Sequence, residues 1–400
     1  MKRVLIFALA YQPFVGGAEL AMQEITNRLS PADYSFDMIT LRFDSNLPRV
    51  EKIGNITVHR IGFCAAGAKI SDRSMPLSCK FAKIFFPITS FWKALSLQRK
   101  NHYDLVWTLL ANQAGFGALF FKLVHPRIPY LLELQDGNSL MQIRARRPFL
   151  RIVWPLYRQV YLRADSIKVI SRFIERLARE IGYTKDIKII PNGVDVAGFS
   201  TSPSPEKISE LMARFGKKPN DVFLFTASRL VLSRGVEDVI GALSHLPAHV
   251  KLLIAGDGED REKLEHIARG LNLGERVIFA GQLPHKDLPA LLHMSDVFVR
   301  PSLIEGMGSA FIEAFAAGLP VVATAVGGIP DFLTDGITGL FCEVRNPKSV
   351  ADAVARYLQD SALTARIVLN AKKLAVERYD WSGIAATQKG MFDSLTKGDN

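Results

Sequence analysis

Several groups of residues in this 400-residue chain have types and spacings suited to chemistry. The richest is Pro301-Ser302-Leu303-Ile304-Glu305-Gly306-Met307-Gly308-Ser309-Ala310-Phe311-Ile312-Glu313-Ala314. Gly306 and Gly308 expose backbone N–H groups where a helix is predicted to begin near Ser309, a setting that suits an anion or sugar hydroxyls. Glu305 lies in the loop and Glu313 inside the helix, with seven residues between them. A carboxylate accepts two hydroxyl hydrogen bonds, the geometry for a ribose or hexose diol. Arg229 and Arg234 bracket a short apolar loop, where two fixed cations can clamp a diphosphate. Gly16-Gly17-Ala18-Glu19 would let a backbone approach a phosphate or sugar at a helix start, or simply make a tight turn. Gly256-Asp257-Gly258 reads as a plain turn.

These groups need elements that bring them to strand ends. Val4–Leu9, Phe36–Leu41, Asp104–Leu109 and Tyr130–Leu134 read as strands, and Ala18–Leu29, Gln113–Val124 and Phe149–Arg163 as helices between them. A Ser/Pro-rich stretch, Ser200 to Pro205, reads as a linker. Alternation then resumes with strands at Val222–Ala227, Val250–Ala255, Val277–Ala280, Val297–Val299 and Val321–Ala323, followed by helix from about Val350. The pattern predicts an α/β chain with two doubly wound, Rossmann-like sheets facing a cleft. In such sheets ligands bind beyond the carboxyl ends of the strands, where the glycines, arginines and glutamates fall.

Bulk properties narrow the class. The net charge of +11 is uneven: residues 1–200 hold 28 Lys/Arg against 15 Asp/Glu, and residues 201–400 hold 22 against 24. The segment Cys79 to Lys93 interleaves lysines with Phe81, Phe85, Phe86, Phe91 and Trp92, and Arg144, Arg146, Arg147 and Arg151 form a second basic stretch. The first segment fits either docking on an anionic bilayer or a helix that buries its aromatic stripe. No nucleic-acid motif accompanies the charge, so nucleic acid is not expected as a partner. Cys64, Cys79 and Cys342 are scattered and form no CxxC, which predicts neither a zinc site nor a disulfide framework. The short apolar run Val4 to Ala10 reads as a buried strand rather than a leader, and no stretch approaches the ~20 apolar residues of a membrane span.

Taken in order, the motifs resemble glycosyltransferase family 4, the retaining, nucleotide-sugar-dependent enzymes of the GT-B fold. The matching residues are Gly16-Gly17-Ala18-Glu19, Val169-Ile170-Ser171, Pro-Asn-Gly-Val-Asp (191–195), the Arg229/Arg234 loop, Gly256-Asp257-Gly258, the Glu305/Glu313 pair, the segment Ala317 to Ala323, Gly327-Gly328-Ile329-Pro330-Asp331 and the segment Asp335 to Leu340. The resemblance implies an acceptor domain over 1–199, joined by a C-terminal helix at about 380–400, and a donor domain over 200–379. It implies that Arg229 and Arg234 bind the donor diphosphate, Glu313 the ribose and Glu305 the transferred sugar. Gly16, Gly17, Gly306, Met307, Gly308 and Ser309 would approach the donor. Two positions depart from the family pattern. Arg234 stands where lysine is common, and Gln135, in Leu134-Gln135-Asp136-Gly137, stands where many members have a histidine close to the sugar. Glutamine hydrogen-bonds but cannot take a proton.

The expected activity is transfer of a hexosyl unit from a nucleotide-diphosphate sugar to a glycan or lipid-linked acceptor, in cell-surface polysaccharide or glycolipid synthesis. No cofactor and no metal is expected, because arginines and a helix N-terminus can balance the leaving-group charge and no clustered Asp-x-Asp is present. The expected location is cytoplasmic, peripheral on the inner face of the cell membrane. The competing readings are a catalytically silent membrane-associated subunit and an epimerase or phosphorylase sharing the fold. A glycosidase, whose tool is a carboxylate pair, is disfavoured because one of the pair is better explained as a ribose ligand.

Overall fold

The computed structural model describes residues 1–14, 16–66, 75–146 and 152–397, apart from the side chains of 144–146. The chain forms two compact units, Met1–Asn192 with Trp381–Asn400, and Gly193–Asp380. The change between them falls ahead of the Ser200–Pro205 stretch, where one helix, Val196–Ser200, ends and another, Pro205–Phe215, begins.

The first unit holds eight strands: β1 (Lys2–Phe7), β2 (Tyr34–Leu41), β3 (Val50–Ile53), β4 (Ile56–Ile61), β5 (Leu105–Leu109), β6 (Tyr130–Leu134), β7 (Ser166–Val169) and β8 (Ile187–Ile189). They lie in the order β3-β4-β2-β1-β5-β6-β7-β8. Every pair is parallel except the β3–β4 hairpin. Helices cover the sheet, so β5 is buried along its whole length and β1 from Val4 to Phe7, with no alternation of buried and exposed residues. The helix Arg172–Ile181 shows how its cover is encoded. Ser171 accepts from the Ile174 N–H at its start, and Gly182 ends it in the left-handed region. Ile174, Leu177, Ala178 and Ile181 recur at helical spacing and are buried. An N-cap of this kind contributes roughly 1 kcal/mol and each large buried aliphatic about 1.5–3 kcal/mol. The Val169-Ile170-Ser171 motif is thus the end of β7 and the cap of the next helix.

The second unit is a six-stranded parallel sheet. Its strands are β9 (Val222–Ala227), β10 (Val250–Ala255), β11 (Val277–Gly281), β12 (Val297–Arg300), β13 (Val321–Thr324) and β14 (Leu340–Cys342). Their order, β11-β10-β9-β12-β13-β14, reverses direction between β9 and β12. That reversal opens a crevice at the strands' carboxyl ends, the usual ligand position of a doubly wound sheet.

The C-terminal helix Trp381–Thr396 belongs to the first unit. Trp381, Ile384, Met391 and Phe392 join the core of Val4, Phe36 and Trp107. Asp393 accepts from Lys2 at 2.6 Å, Tyr34 at 2.6 Å and Lys389 at 2.8 Å. These bonds, that to Lys2 foremost, hold its carboxyl well below the usual aspartate range. A depressed carboxyl stabilises the folded state above the unfolded value near 4 and loses that contribution as pH falls through the folded value. We expect Asp393→Asn to loosen this helix at neutral pH, read as faster amide exchange over 381–396. The difference from the native protein should shrink below about pH 3. Equal exchange of both proteins at pH 7 would refute the anchoring role.

The structure adds a hairpin to the sequence expectations and corrects two of them. The hairpin β3–β4 was not read, although its turn, Gly54-Asn55, is a two-residue hairpin connection with Gly54 at φ 56°. The helix expected over Phe149–Arg163 spans Trp154–Leu162, with Pro155 in its first turn, while residues 147–151 lie outside the described residues. Cys64 and Cys79 are paired as a disulfide, although the spacing suggested none. Cys64 follows β4, Cys79 lies in the first turn of the helix Leu77–Asn101, and the packing of that helix against the sheet brings the two together.

Candidate functional site

The second unit's site is built from the loops after β9 and β12. After β9 the chain runs through exposed Arg229 into the 3-10 turn Leu232–Arg234. After β12 it runs from Pro301 to Gly308, and the helix Ser309–Ala317 follows. Backbone hydrogen bonds tie the loops together: the Leu303 N–H donates to Ser233 O at 2.9 Å. On the other side the Leu230 N–H donates to Asp257 O at 3.0 Å, so Gly256-Asp257-Gly258 braces the arginine loop.

Glu305 is the centre of this arrangement. It is buried, at 7% exposure, and its Oε2 accepts from Arg234 Nη1 at 2.8 Å and from Arg300 Nη2 at 3.0 Å. Its main chain is fixed from the other side, where the Gly328 N–H donates to Glu305 O at 3.1 Å. Gly327 makes that approach possible. It sits at φ 57°, and a Cβ there would lie 1.8 Å from the Glu305 oxygen. The motif Gly327-Gly328 therefore acts at a distance in sequence to seat one carboxylate.

Glu313 is buried in the helix Ser309–Ala317 at 8% exposure, and its Oε1 lies 3.0 Å from His285 Nε2. Gly306 and Met307 are buried, and Gly308 and Ser309 stand at the start of the helix. Arg234 and Glu305 are thus in direct contact, whereas Glu313 is engaged by a different partner. Among the described residues no side-chain partner is recorded for Arg229. No group of three or more His, Cys, Asp or Glu side chains suited to a metal occurs among the described residues.

The remaining sequence candidates lie in the first unit. Gly16 and Gly17 are exposed at the start of the helix Gly17–Arg28, and the Gly16 N–H donates to Glu19 Oε2 at 2.9 Å. Glu19 thereby caps its own helix, and burial raises its carboxyl above the ordinary glutamate value. Gln135 follows β6. Its Nε2 donates to Glu133 Oε1 at 2.6 Å, and its Oε1 accepts from Asn192 Nδ2 at 2.9 Å. Beneath it is a charge pair in the core. Glu133 and Lys168 are register partners on β6 and β7, 3.0 Å apart and 1% and 0% exposed at their side chains. Trp107 Nε1 donates to the other oxygen of Glu133 at 2.8 Å. An ionised Glu133 can only accept, so Gln135 must turn its NH₂ towards it and its oxygen away, towards Asn192. Beside this network a cavity of about 60 Å³ is lined by residues including Leu110, Asn112, Asp136 and Tyr157.

Sequence reasoning missed Arg300, His285, Glu133 and Lys168. Three of these had a signal. Glu133, Lys168 and Arg300 are charges inside or ending strands that must be buried on both faces, where charge is found only when paired. His285 gave none.

The comparisons with known proteins agree with this architecture. Residues 207–374 match the family Glycosyl transferases group 1, and residues 15–197 match Glycosyltransferase Family 4. The chain belongs to the family 4-like glycosyltransferases of the GT-B fold. An uncharacterized glycosyltransferase of Methanocaldococcus jannaschii is 27% identical over 397 residues, 96% of each chain. A GDP-mannose-dependent alpha-(1-6)-phosphatidylinositol monomannoside mannosyltransferase of Mycolicibacterium smegmatis is 31% identical over 229 residues, 54% of this chain and 59% of that one. Among solved structures, Anabaena HepE in complex with UDP-glucose has a TM-score of 0.77 at 22% identity, covering 98% of this chain and all of that one. Sucrose-phosphate synthase from Thermosynechococcus elongatus has a TM-score of 0.80 at 21% identity, covering 99% of each. At these identities the structural likeness is one of fold.

Proposed function

We propose that this glycosyltransferase is a retaining, metal-independent hexosyltransferase whose unit Gly193–Asp380 holds a nucleotide-diphosphate sugar. The observation that carries the reading is the cluster of Arg234 and buried Glu305, with Arg229 exposed on the same loop, at the carboxyl ends of β9 and β12. Breaking the bond from the sugar to the diphosphate builds negative charge on the leaving phosphate. Arg229, Arg234 and the N–H groups at the start of Ser309–Ala317 are the groups assigned to receive it. Glu305 holds hydroxyls of the transferred sugar and Glu313 the ribose. The backbone of Gly306 to Ser309 approaches the donor. The leaving phosphate takes the acceptor's proton on the face it departs from, so no enzyme nucleophile is needed. One neighbour of this fold, Anabaena HepE, has been solved in complex with UDP and with UDP-glucose, and one relative is a GDP-mannose-dependent phosphatidylinositol monomannoside mannosyltransferase. A thermal-shift screen of nucleotide sugars tests the donor assignment, since a ligand that binds the folded state raises its apparent stability. A flat response to every nucleotide sugar would refute it.

The acceptor is read as a glycan or lipid-linked sugar met at an anionic membrane, on the cytoplasmic side. The supporting observation is the helix Leu77–Asn101. Leu77, Phe81, Ile84, Phe85, Ile88 and Trp92 recur at helical spacing and are all exposed, while Cys79, Ala82, Phe86, Ser90, Ala94 and Leu97 are buried. The aromatic stripe thus divides, with Phe86 in the core and Phe81, Phe85 and Trp92 outside. Lys80, Lys83, Lys93, Arg99 and Lys100 on the same helix supply charge complementary to anionic headgroups, each worth about 1 kcal/mol near such a surface. The side chains of Arg144, Arg146, Arg147 and Arg151 lie outside the described residues. No described helix is long and apolar enough to cross a membrane. We expect the chain to co-sediment with phosphatidylserine-containing vesicles more than with neutral ones, less at high salt, and Ile84→Glu with Ile88→Glu to abolish most of it. Binding blind to lipid charge and to both substitutions would exclude this surface.

A further inference from the structure

Glu305 has two cations on one oxygen, and they are held very differently. Arg300 ends β12 with its side chain 6% exposed, and Arg234 sits on a loop with its side chain 30% exposed. The Arg300 guanidinium fills a slot. Its Nη1 donates to Ala227 O at 3.1 Å, its Cζ lies 4.2 Å from the centre of the Phe311 ring, and its Nε is buried without a hydrogen-bond partner among the described residues. Gly308, at φ 90°, closes the slot, since a Cβ there would lie 2.7 Å from Arg300 Nη2. Burial lowers the Arg300 pKa to about 10, which still leaves the group charged at neutral pH. The other bond of Arg234 Nη1, to Ile304 O at 3.1 Å, is to a loop carbonyl.

We infer that Arg300 is the resident counter-ion of Glu305, which allows Arg234 to leave that carboxylate for the donor's diphosphate; this rests on the donor site proposed above. With Arg234 as its only cation, Glu305 would be left buried and uncompensated each time Arg234 turned to phosphate, and that cost would be subtracted from donor binding. Arg300 removes the cost because it cannot follow. Any swing would break its bond to Ala227 and leave its charge unpaired in the core. Both arginines bond Oε2, so Oε1 is the oxygen left for a sugar hydroxyl. Arg300 is in this account a positioning residue, acting through Glu305 and Arg234.

The test has a ligand-free part and a nucleotide part. In urea unfolding, Arg300→Met should lower the midpoint strongly, Glu305→Gln should restore most of that loss, and Arg234→Ala should shift it little. Simple additivity of Arg300→Met and Glu305→Gln, or a larger effect of Arg234→Ala, would overturn the assignment. If Arg300→Met does not fold, Arg300→Lys serves with the same expected rescue by Glu305→Gln. In calorimetric titrations with UDP and with GDP, Arg300→Met should weaken whichever the native protein binds by about tenfold or more. Adding Glu305→Gln should bring binding back to within about threefold, because Arg234 is no longer needed by a carboxylate. Undiminished binding by Arg300→Met, or no recovery in the double variant, contradicts the exchange. Failure of the native protein to bind either nucleotide refutes the donor reading instead, and the stability cycle still decides the role of Arg300.

Discussion

Arg234→Ala and Arg229→Ala are each expected to lower kcat/KM by about 10²–10³-fold, the cost of removing one fixed group that meets charge developing in a transition state. The two losses should differ in kind. In the ligand-free protein Arg229 is exposed and no side-chain partner is recorded for it, so its removal changes only what the donor meets. Arg234 also bonds Glu305 Oε2 and Ile304 O, so its removal loosens the loop that seats the sugar-facing carboxylate. Arg229→Ala should therefore act mainly on kcat, and Arg234→Ala on both kcat and KM. Steady-state kinetics with the donor found by thermal shift reads both. Intact turnover in both variants would remove the diphosphate-clamp assignment.

The second large effect is on stability. Lys168→Met should destabilise the first unit by about 3–5 kcal/mol, because it leaves the Glu133 carboxylate buried without its cation. Trp107 and Gln135 still donate to that carboxylate, but neutral donors do not replace a charge at 3.0 Å in a site with 0% and 1% exposure. Replacing both members, Lys168→Met with Glu133→Gln, should recover a large part of the loss, since a buried pair is costly to break and inexpensive to replace together. Urea unfolding of the four proteins gives the coupling directly. A loss below about 1 kcal/mol in Lys168→Met would mean that the pair is not ionised in the core.

The parts of the fold legible in the sequence are those fixed by local pattern. Runs such as Val222–Ala227, Val250–Ala255 and Tyr130–Leu134 are strands at those same bounds, because parallel strands covered on both faces are predominantly apolar, even with Lys251 in one and Glu133 in another. The placement of Glu305 in a loop and Glu313 in the helix after it was legible because Gly306 and Gly308 mark the turn at which that helix begins. What escaped depends on residues distant in sequence. Glu133 and Lys168 explain one another only once β6 and β7 are paired in register, and Arg300 only once Glu305 folds back 3.0 Å from it. The Cys64–Cys79 pair likewise depends on how a long helix packs against the sheet. The helix Leu77–Asn101 was ambiguous because its sequence supports apolar residues on more than one side, and only packing decides which side is covered. Gln135 was visible as a departure, but its orientation follows from a carboxylate beneath it that periodicity cannot place.

Sugar is expected to pass from a nucleotide-diphosphate donor to an acceptor. The direct measurement is transfer of radiolabel from UDP-glucose and GDP-mannose to a lipid and glycan extract, with and without EDTA, in the native protein and in Arg234→Ala. Labelled product and released nucleotide diphosphate are expected from the native protein with one of the two donors, unchanged by EDTA and nearly abolished in the variant. Donor that binds but passes its sugar to neither acceptor nor water would contradict it, and transfer lost to EDTA and restored by Mg²⁺ would show that a metal does the work assigned here to Arg229 and Arg234.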